Sequence, residues 1–213
     1  MERLIYISQG KTPAIQLENI AFACQVGVKW VQLRLKDCDP KEVKKTAFAA
    51  QKICGEHQVK LTINDHAELA LSLGIPSVHL GLNDMPTDEA RKLLGPSVEI
   101  GGTCNTFDHL KWHWQNGVDY VGLGPFRFTK TKTKLSPILG IEGYQRLIKQ
   151  MAIANIELPV FAIGGIKADD VYPLFNAGVY GIAISSELHH HPDPEAFVKF
   201  VEGIFQLKNT TTC

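Results

Sequence analysis

Gln32, Arg34 and Lys36 stand at alternate positions in the run Val31-Gln-Leu-Arg-Leu-Lys36. In a strand, successive side chains point to opposite faces, so this spacing gathers an amide and two cations on one face and Leu33 and Leu35 on the other. One cationic and one apolar face, in a chain that is 45% hydrophobic, suggest the inside of a barrel lined for an anionic substrate. An edge strand with its polar face in water is the plain alternative. Asp65, in Asn64-Asp65, and Asp84, in Gly81-Leu-Asn-Asp84, follow neighbouring strand candidates and are placed to share one hard cation. Mg²⁺ is commonly held by one or two carboxylates plus substrate phosphates, because it keeps part of its water shell. The alternative for Asp65 is that it caps the following helix. Gly164-Gly165 and Ser185-Ser186 follow the last two strand candidates. Backbone N–H groups there, with the N-terminus of a short helix, form a phosphate cradle in many barrels.

These groups need a scaffold, and the chain alternates short β-rich apolar runs with helical spacing from end to end. Strands are predicted over residues 4–8, 30–35, 60–63, 77–80, 99–102, 120–122, 159–162 and 181–184, and helices over 14–26, 40–57, 67–73, 87–94, 107–116, 143–153, 168–177 and 194–206. Asp39, Thr87 and Asp193 precede helices, and Gly27, Gly74, Gly117 and Gly178 follow them. Eight strand–helix pairs without a linker predict an α/β chain, residues 1–213 forming one (β/α)₈ TIM barrel. A doubly wound open sheet would need a Gly-rich first turn, which Ser8-Gln-Gly-Lys11 does not supply. The longest loop after a strand runs from Gly124 to Gly140 and alternates Thr129, Lys130, Thr131 and Lys132. Its length and polarity read as a mobile lid over a strand end.

Composition narrows the partners. Lys plus Arg equals Asp plus Glu at 22 each, so no nucleic-acid or membrane partner is expected and any cationic site must be local. Five cysteines, an odd count without metal-type spacing, predict reduced thiols. Met1-Glu-Arg-Leu-Ile-Tyr-Ile7 lacks the apolar run of a signal peptide, and a cytoplasmic protein is expected. His79 lies in an apolar run and reads as a hydrogen-bonded core residue, and His189-His-His191 as a solvated loop. A homo-oligomer stays open.

In this order, Gln32-x-Arg-x-Lys36, Asn64-Asp65, Val78-His-Leu-Gly-x-x-Asp84, Gly122-x-Gly-Pro125 with Thr129-x-Thr-Lys132, and Gly164-Gly-Ile166 resemble the thiamine phosphate synthase family over essentially the whole chain. The resemblance implies a (β/α)₈ barrel that joins 4-amino-5-hydroxymethyl-2-methylpyrimidine diphosphate to a thiazole phosphate, giving thiamine phosphate and pyrophosphate. Carried over, Gln32, Arg34, Lys36, Asn64, Thr103 and Lys132 would bind the pyrimidine diphosphate. Asp65 and Asp84 would hold one Mg²⁺. Thr129, Lys130, Thr131, Gly165, Ser185 and Ser186 would hold the thiazole phosphate. Arg34, Lys36, Lys132 and Thr103 would be the catalytic groups, stabilising charge as pyrophosphate departs before the thiazole nitrogen attacks. Two departures stand out: Thr103-Cys-Asn-Thr106 replaces the Ser-x-His-Thr often found there, and Leu82 takes a position where many members carry Gln. A thiazole tautomerase on the same scaffold, or a non-catalytic barrel that binds a thiamine precursor, are the alternative functions.

Overall fold

Strands of four to six residues alternate with helices along the chain, and their period-two patterning divides every strand between two apolar layers. A computed structural model describes residues 1–36, 38–128 and 137–206. The strands are β1 (Leu4–Ile7), β2 (Trp30–Leu33), β3 (Lys60–Asn64), β4 (Ser77–Leu80), β5 (Glu99–Cys104), β6 (Tyr120–Leu123), β7 (Val160–Ile163) and β8 (Gly181–Ile184). All neighbours pair in parallel, and β8 returns to β1 through Leu4↔Ile182 and Ile5↔Ala183, so the sheet closes into a (β/α)₈ barrel. The helices are α1 (Pro13–Gln25), α2 (Pro40–Glu56), α3 (Ala67–Leu73), α4 (Thr87–Leu94), α5 (Phe107–Gln115), α6 (Gly140–Ile153), α7 (Val171–Ala177), α8 (Ser186–His190) and α9 (Pro194–Gln206).

Outward strand residues such as Val31, Leu33, Ile63 and Val121 pack against the helices in one large cluster. Inward residues Ile5, Trp30, Tyr120, Phe161 and Ala183 fill the barrel itself. Bulky rings fit there because glycines face them: a Cβ on Gly101 would lie 2.2 Å from Tyr120 Cζ, and one on Gly181 2.7 Å from the Phe161 ring. Helix starts follow local chemistry. The Thr12 hydroxyl accepts from Ile15 N at 3.3 Å before Pro13, and Asp39 accepts from Lys41 N at 2.8 Å before Pro40.

Four expectations need correction. β2 ends at Leu33, so Arg34 and Lys36 lie beyond the strand rather than within it. Thr87 is not a cap: it is buried, its hydroxyl meets His113 Nδ1 at 3.3 Å, and Pro86 precedes the helix. The segment expected as one helix over 168–177 splits into a 3₁₀ turn, Ala168–Asp170, and α7. Pro173 has no N–H to continue a helix begun at 168, whereas in the first turn of α7 that lack costs nothing. His189 and His190 lie in α8 rather than in a solvated loop; Tyr6 Oη meets His189 Nε2 at 2.7 Å, and Phe22 stacks on its ring.

Candidate active site

The strand ends of β2, β3 and β4 place the charges. Arg34 leaves β2 with its backbone held on both sides: its N–H donates to Ser8 Oγ at 3.0 Å, and Gln16 Nε2 donates to its carbonyl at 3.0 Å. Ser8 and Gln16, both buried, also bond each other. Lys36 is exposed and reaches Asp65 Oδ2 at 3.5 Å. Asp65 sits at φ 71°, in the left-handed region that Asp tolerates better than most residues. Its N–H donates to His79 O at 2.9 Å, which ties the turn to β4. The helix behind it starts at His66 without a side-chain cap, so the capping alternative for Asp65 does not hold.

Asp84 faces Asp65 from the next loop. Its Oδ2 accepts from Gly81 N at 2.6 Å, and a Cβ at Gly81 would come within 2.7 Å of that oxygen, which explains glycine there. Burial raises the Asp65 pKa above the usual carboxylate value, and the hydrogen bond and charge of Asp84 add to the rise; Lys36 and Arg34 pull the other way. Two carboxylates this close repel unless a proton or a cation sits between them. The donor set, all oxygen, suits a hard divalent cation such as Mg²⁺.

Three further predicted residues line the interior nearby. Gln32 is 2% exposed and donates from Nε2 to Tyr120 Oη at 3.0 Å. Asn64, also buried, has no hydrogen-bond partner for Oδ1 among the described residues. Thr103 Oγ1 meets His79 Nε2 at 3.1 Å, in line with the expectation of a hydrogen-bonded core histidine.

A cavity of about 110 Å³ opens on the other side of the mouth. It is lined by Arg34, Gly164, Gly165, Ser185 and Ser186 together with Ser8. Gly164 and Gly165 have φ of 95° and 73°, and a Cβ at Gly165 would strike Arg127 Cγ at 2.4 Å, so this turn needs glycine twice over. Arg34 therefore borders this cavity and also feels Asp65, standing between the two halves of the site. Thr129, Lys130, Thr131 and Lys132 lie outside the described residues.

The chain on either side of that segment is well tied. Asn105 Nδ2 donates to Gly124 O and to Pro137 O, each at 2.9 Å. Arg127 donates to both oxygens of Asp170 at 2.7 and 2.8 Å and to Gly165 O at 2.9 Å, joining the β6 loop to the β7 turn. Ser8, Gln16, Arg127 and Asp170 were not anticipated from sequence. Ser8 had a signal, since it follows β1 as the other site residues follow their strands; Arg127 and Asp170 are 43 residues apart and had none.

A closed parallel barrel with paired carboxylates, cations and a glycine–serine cavity at the strand C-termini has the architecture of a (β/α)₈ barrel enzyme. Comparison with known proteins is specific. Residues 4–188 match the family described as thiamine monophosphate synthase. The thiamine-phosphate synthase of Bacteroides thetaiotaomicron is 45% identical over 196 residues, 92% of this chain and 94% of that protein. That of Bacteroides fragilis is 48% identical over 188 residues, 88% of this chain and 92% of its relative. The structure of a thiamine phosphate pyrophosphorylase from Pyrococcus furiosus superposes with a TM-score of 0.79 over 96% of each chain, at 24% identity, and shares the fold. The chain belongs to the thiamine monophosphate synthase family, and it is an enzyme, a transferase of thiamine biosynthesis.

Proposed function

We propose that this barrel condenses 4-amino-5-hydroxymethyl-2-methylpyrimidine diphosphate with a thiazole phosphate, releasing pyrophosphate, and that the whole chain acts as one catalytic unit. The observation that carries the reading is the juxtaposition of Asp65, Asp84, Lys36 and Arg34 on one side of a mouth whose other side is the Gly164–Gly165 and Ser185–Ser186 cavity. Asp65 and Asp84 would hold Mg²⁺, which when bound supplies positive charge to the departing diphosphate. Lys36 and Arg34, with Lys132, would hold the diphosphate oxygens and stabilise the negative charge that grows on them as the carbon–oxygen bond breaks. Gln32, Asn64 and Thr103 would orient the pyrimidine, whose amino-substituted ring carries the methylene cation left behind. Gly165, Ser185 and Ser186, with Thr129, Lys130 and Thr131, would fix the thiazole phosphate so that its nitrogen faces that carbon. Positioning two reactants in this way, without a protein nucleophile, lowers the entropic part of the barrier.

Asn105 argues against an isomerase that moves a proton at this position, since its amide nitrogen is committed to two backbone carbonyls. Among the described residues Cys24, Cys38, Cys54 and Cys104 are free thiols, and no helix among those residues is long and apolar enough to cross a membrane. Mixing both substrates with Mg²⁺ should release pyrophosphate and thiamine phosphate together. No release, or equal release without the thiazole, refutes the reading.

A further inference from the structure

Two side chains grip the backbone of Arg34 where the sheet gives out. β1 and β2 pair at Ile7↔Gln32, and Ser8 N donates to Gln32 O at 2.8 Å. In a continuing parallel ladder the Ser8 carbonyl would accept the next N–H, that of Arg34. Instead the Arg34 N–H donates to Ser8 Oγ at 3.0 Å, and Gln16 Nε2, in the first turn of α1, donates to Arg34 O at 3.0 Å. The Ser8 and Gln16 side chains bond each other and close the ring. Both residues are buried, so bulk water cannot substitute for a missing member.

Donor and acceptor capacity allows one arrangement of this ring. Gln16 Nε2 also donates to Gly10 O at 3.2 Å. Carbonyls only accept, so the amide nitrogen must face both of them and Oε1 must face Ser8. An amide oxygen also only accepts, so the single Ser8 proton goes to Gln16. The Ser8 hydroxyl is left with no proton to give a phosphate, although Ser8 lines the same cavity as Ser185 and Ser186. The loop between β1 and α1 is shaped to hold the ring. Asn19 Nδ2 donates to Gln9 O at 2.8 Å. Gly10 lies at φ 141°, where a Cβ would come within 2.7 Å of Ile15 Cγ2.

We propose that Ser8 and Gln16 are positioning residues that clamp the Arg34 main chain, so that its guanidinium stands ready between the two anion-binding halves of the mouth. By the same geometry Ser8, unlike Ser185 and Ser186, is not a ligand of the thiazole phosphate. The inference rests on the condensation proposed above. An arginine on a loose backbone loses freedom when it meets an anion; a backbone held at both N–H and C=O has lost that freedom on folding, before any substrate arrives. The clamp serves both substrates, because Arg34 borders the cavity and also acts on Asp65.

A double-mutant cycle tests it, with kcat/KM measured for each substrate while the other is saturating. Gln16→Met keeps the length of the side chain and adds no charge, but loses the donors and the acceptor. It should lower kcat/KM about tenfold for both substrates. In an Arg34→Ala background the same change should lower it less than about twofold, because the group it positions is gone. Ser8→Ala should repeat both results. A loss confined to the thiazole phosphate would make Ser8 a phosphate ligand and overturn its assignment. No loss for Gln16→Met, or the same loss with and without the Arg34 side chain, overturns the clamp; the second result would mark a general loosening of the barrel. If Gln16→Met does not fold, Ser8→Ala completes the cycle. Each of these failures leaves the condensation standing, whereas a wild-type enzyme that releases no pyrophosphate removes the condensation and the clamp together.

Discussion

The floor and the mouth of this barrel treat polar groups in opposite ways. On the floor, Lys60, Glu99, Ser77, Thr62 and Trp30 satisfy one another within the protein. At the mouth, Asp65 and Asp84 face each other, Lys36 reaches Asp65 only at 3.5 Å, and the Asn64 side-chain oxygen Oδ1 has no hydrogen-bond partner among the described residues. The floor is built as a folding core that happens to contain charges. Under the proposed function the mouth would receive a bound charge, and its side chains would then be held in an arrangement that favours binding over stability. The contrast shows why residues of the same type carry different meanings at the two ends of one strand.

The sharpest way to break this contrast is at Asp65. Asp65→Asn should lower turnover by at least about 100-fold, the scale of losing one preorganised charge-stabilising group. The same change should raise the melting temperature of the metal-free protein, because it removes half of a repelling pair. Steady-state rates and thermal melts check both halves; a lower melting temperature would mean that Asp65 is structural. On the floor the signs reverse. Glu99→Ala leaves Lys60 without its partner, and should destabilise by about 2–3 kcal/mol, under the cost of breaking a fully buried pair, since these side chains keep 26% and 22% of their exposure. Urea titration measures it.

Between these extremes lies the junction of the β6 loop and the β7 turn. Among the described residues, Arg127→Ala would leave the Asp170 carboxylate, which is 12% exposed, with the Lys167 N–H at 2.7 Å as its hydrogen-bond donor. A loss of about 1–2 kcal/mol is expected, tempered because the Arg127 side chain is 37% exposed. If the junction also shapes the cavity, the KM for the thiazole phosphate should rise more than that for the pyrimidine diphosphate. Equal changes in both would make it a purely structural tie.

How much of this was legible in the sequence follows from the range of each signal. Period-two and helical spacing are local, so the closed barrel and, among the described residues, its eight strands and eight of its nine helices could be read directly. Strand-end positions inherit that clarity, which is why Arg34, Asp65, Asp84, Gly165 and Ser185 could be named as candidates. What escaped depends on partners distant in the chain. The end of β2 at Leu33 is set by Ser8 and Gln16 holding Arg34, contacts 26 and 18 residues away. The Tyr120–Gln32 bond spans 88 residues, and Arg127–Asp170 spans 43. The helix α8 is only five residues long, too short for periodicity to reveal.

The smallest predicted effect concerns a buried group in its neutral form, outside the barrel wall. His113 on α5 is 4% exposed; its Nε2 donates to Thr103 O at 3.1 Å, and the Thr87 hydroxyl meets Nδ1 at 3.3 Å. Gly102 makes room for the ring, since a Cβ there would lie 2.4 Å from His113 Cε1. Burial pushes the His113 pKa below 6.5, the hydrogen bond to Thr103 opposes that, and His109 lowers it slightly further. The unfolded chain therefore takes up a proton near pH 6.5 that the folded protein refuses. The stabilisation is complete above that pH and is lost as pH falls through the lower folded value. His113→Gln, which keeps a donor and an acceptor at the site, should flatten the decline in stability below pH 6.5 while changing stability at pH 8 by less than about 1 kcal/mol. Half-buried His189 is also depressed, so part of the slope should survive; an unaltered slope would show that His113 contributes none of it.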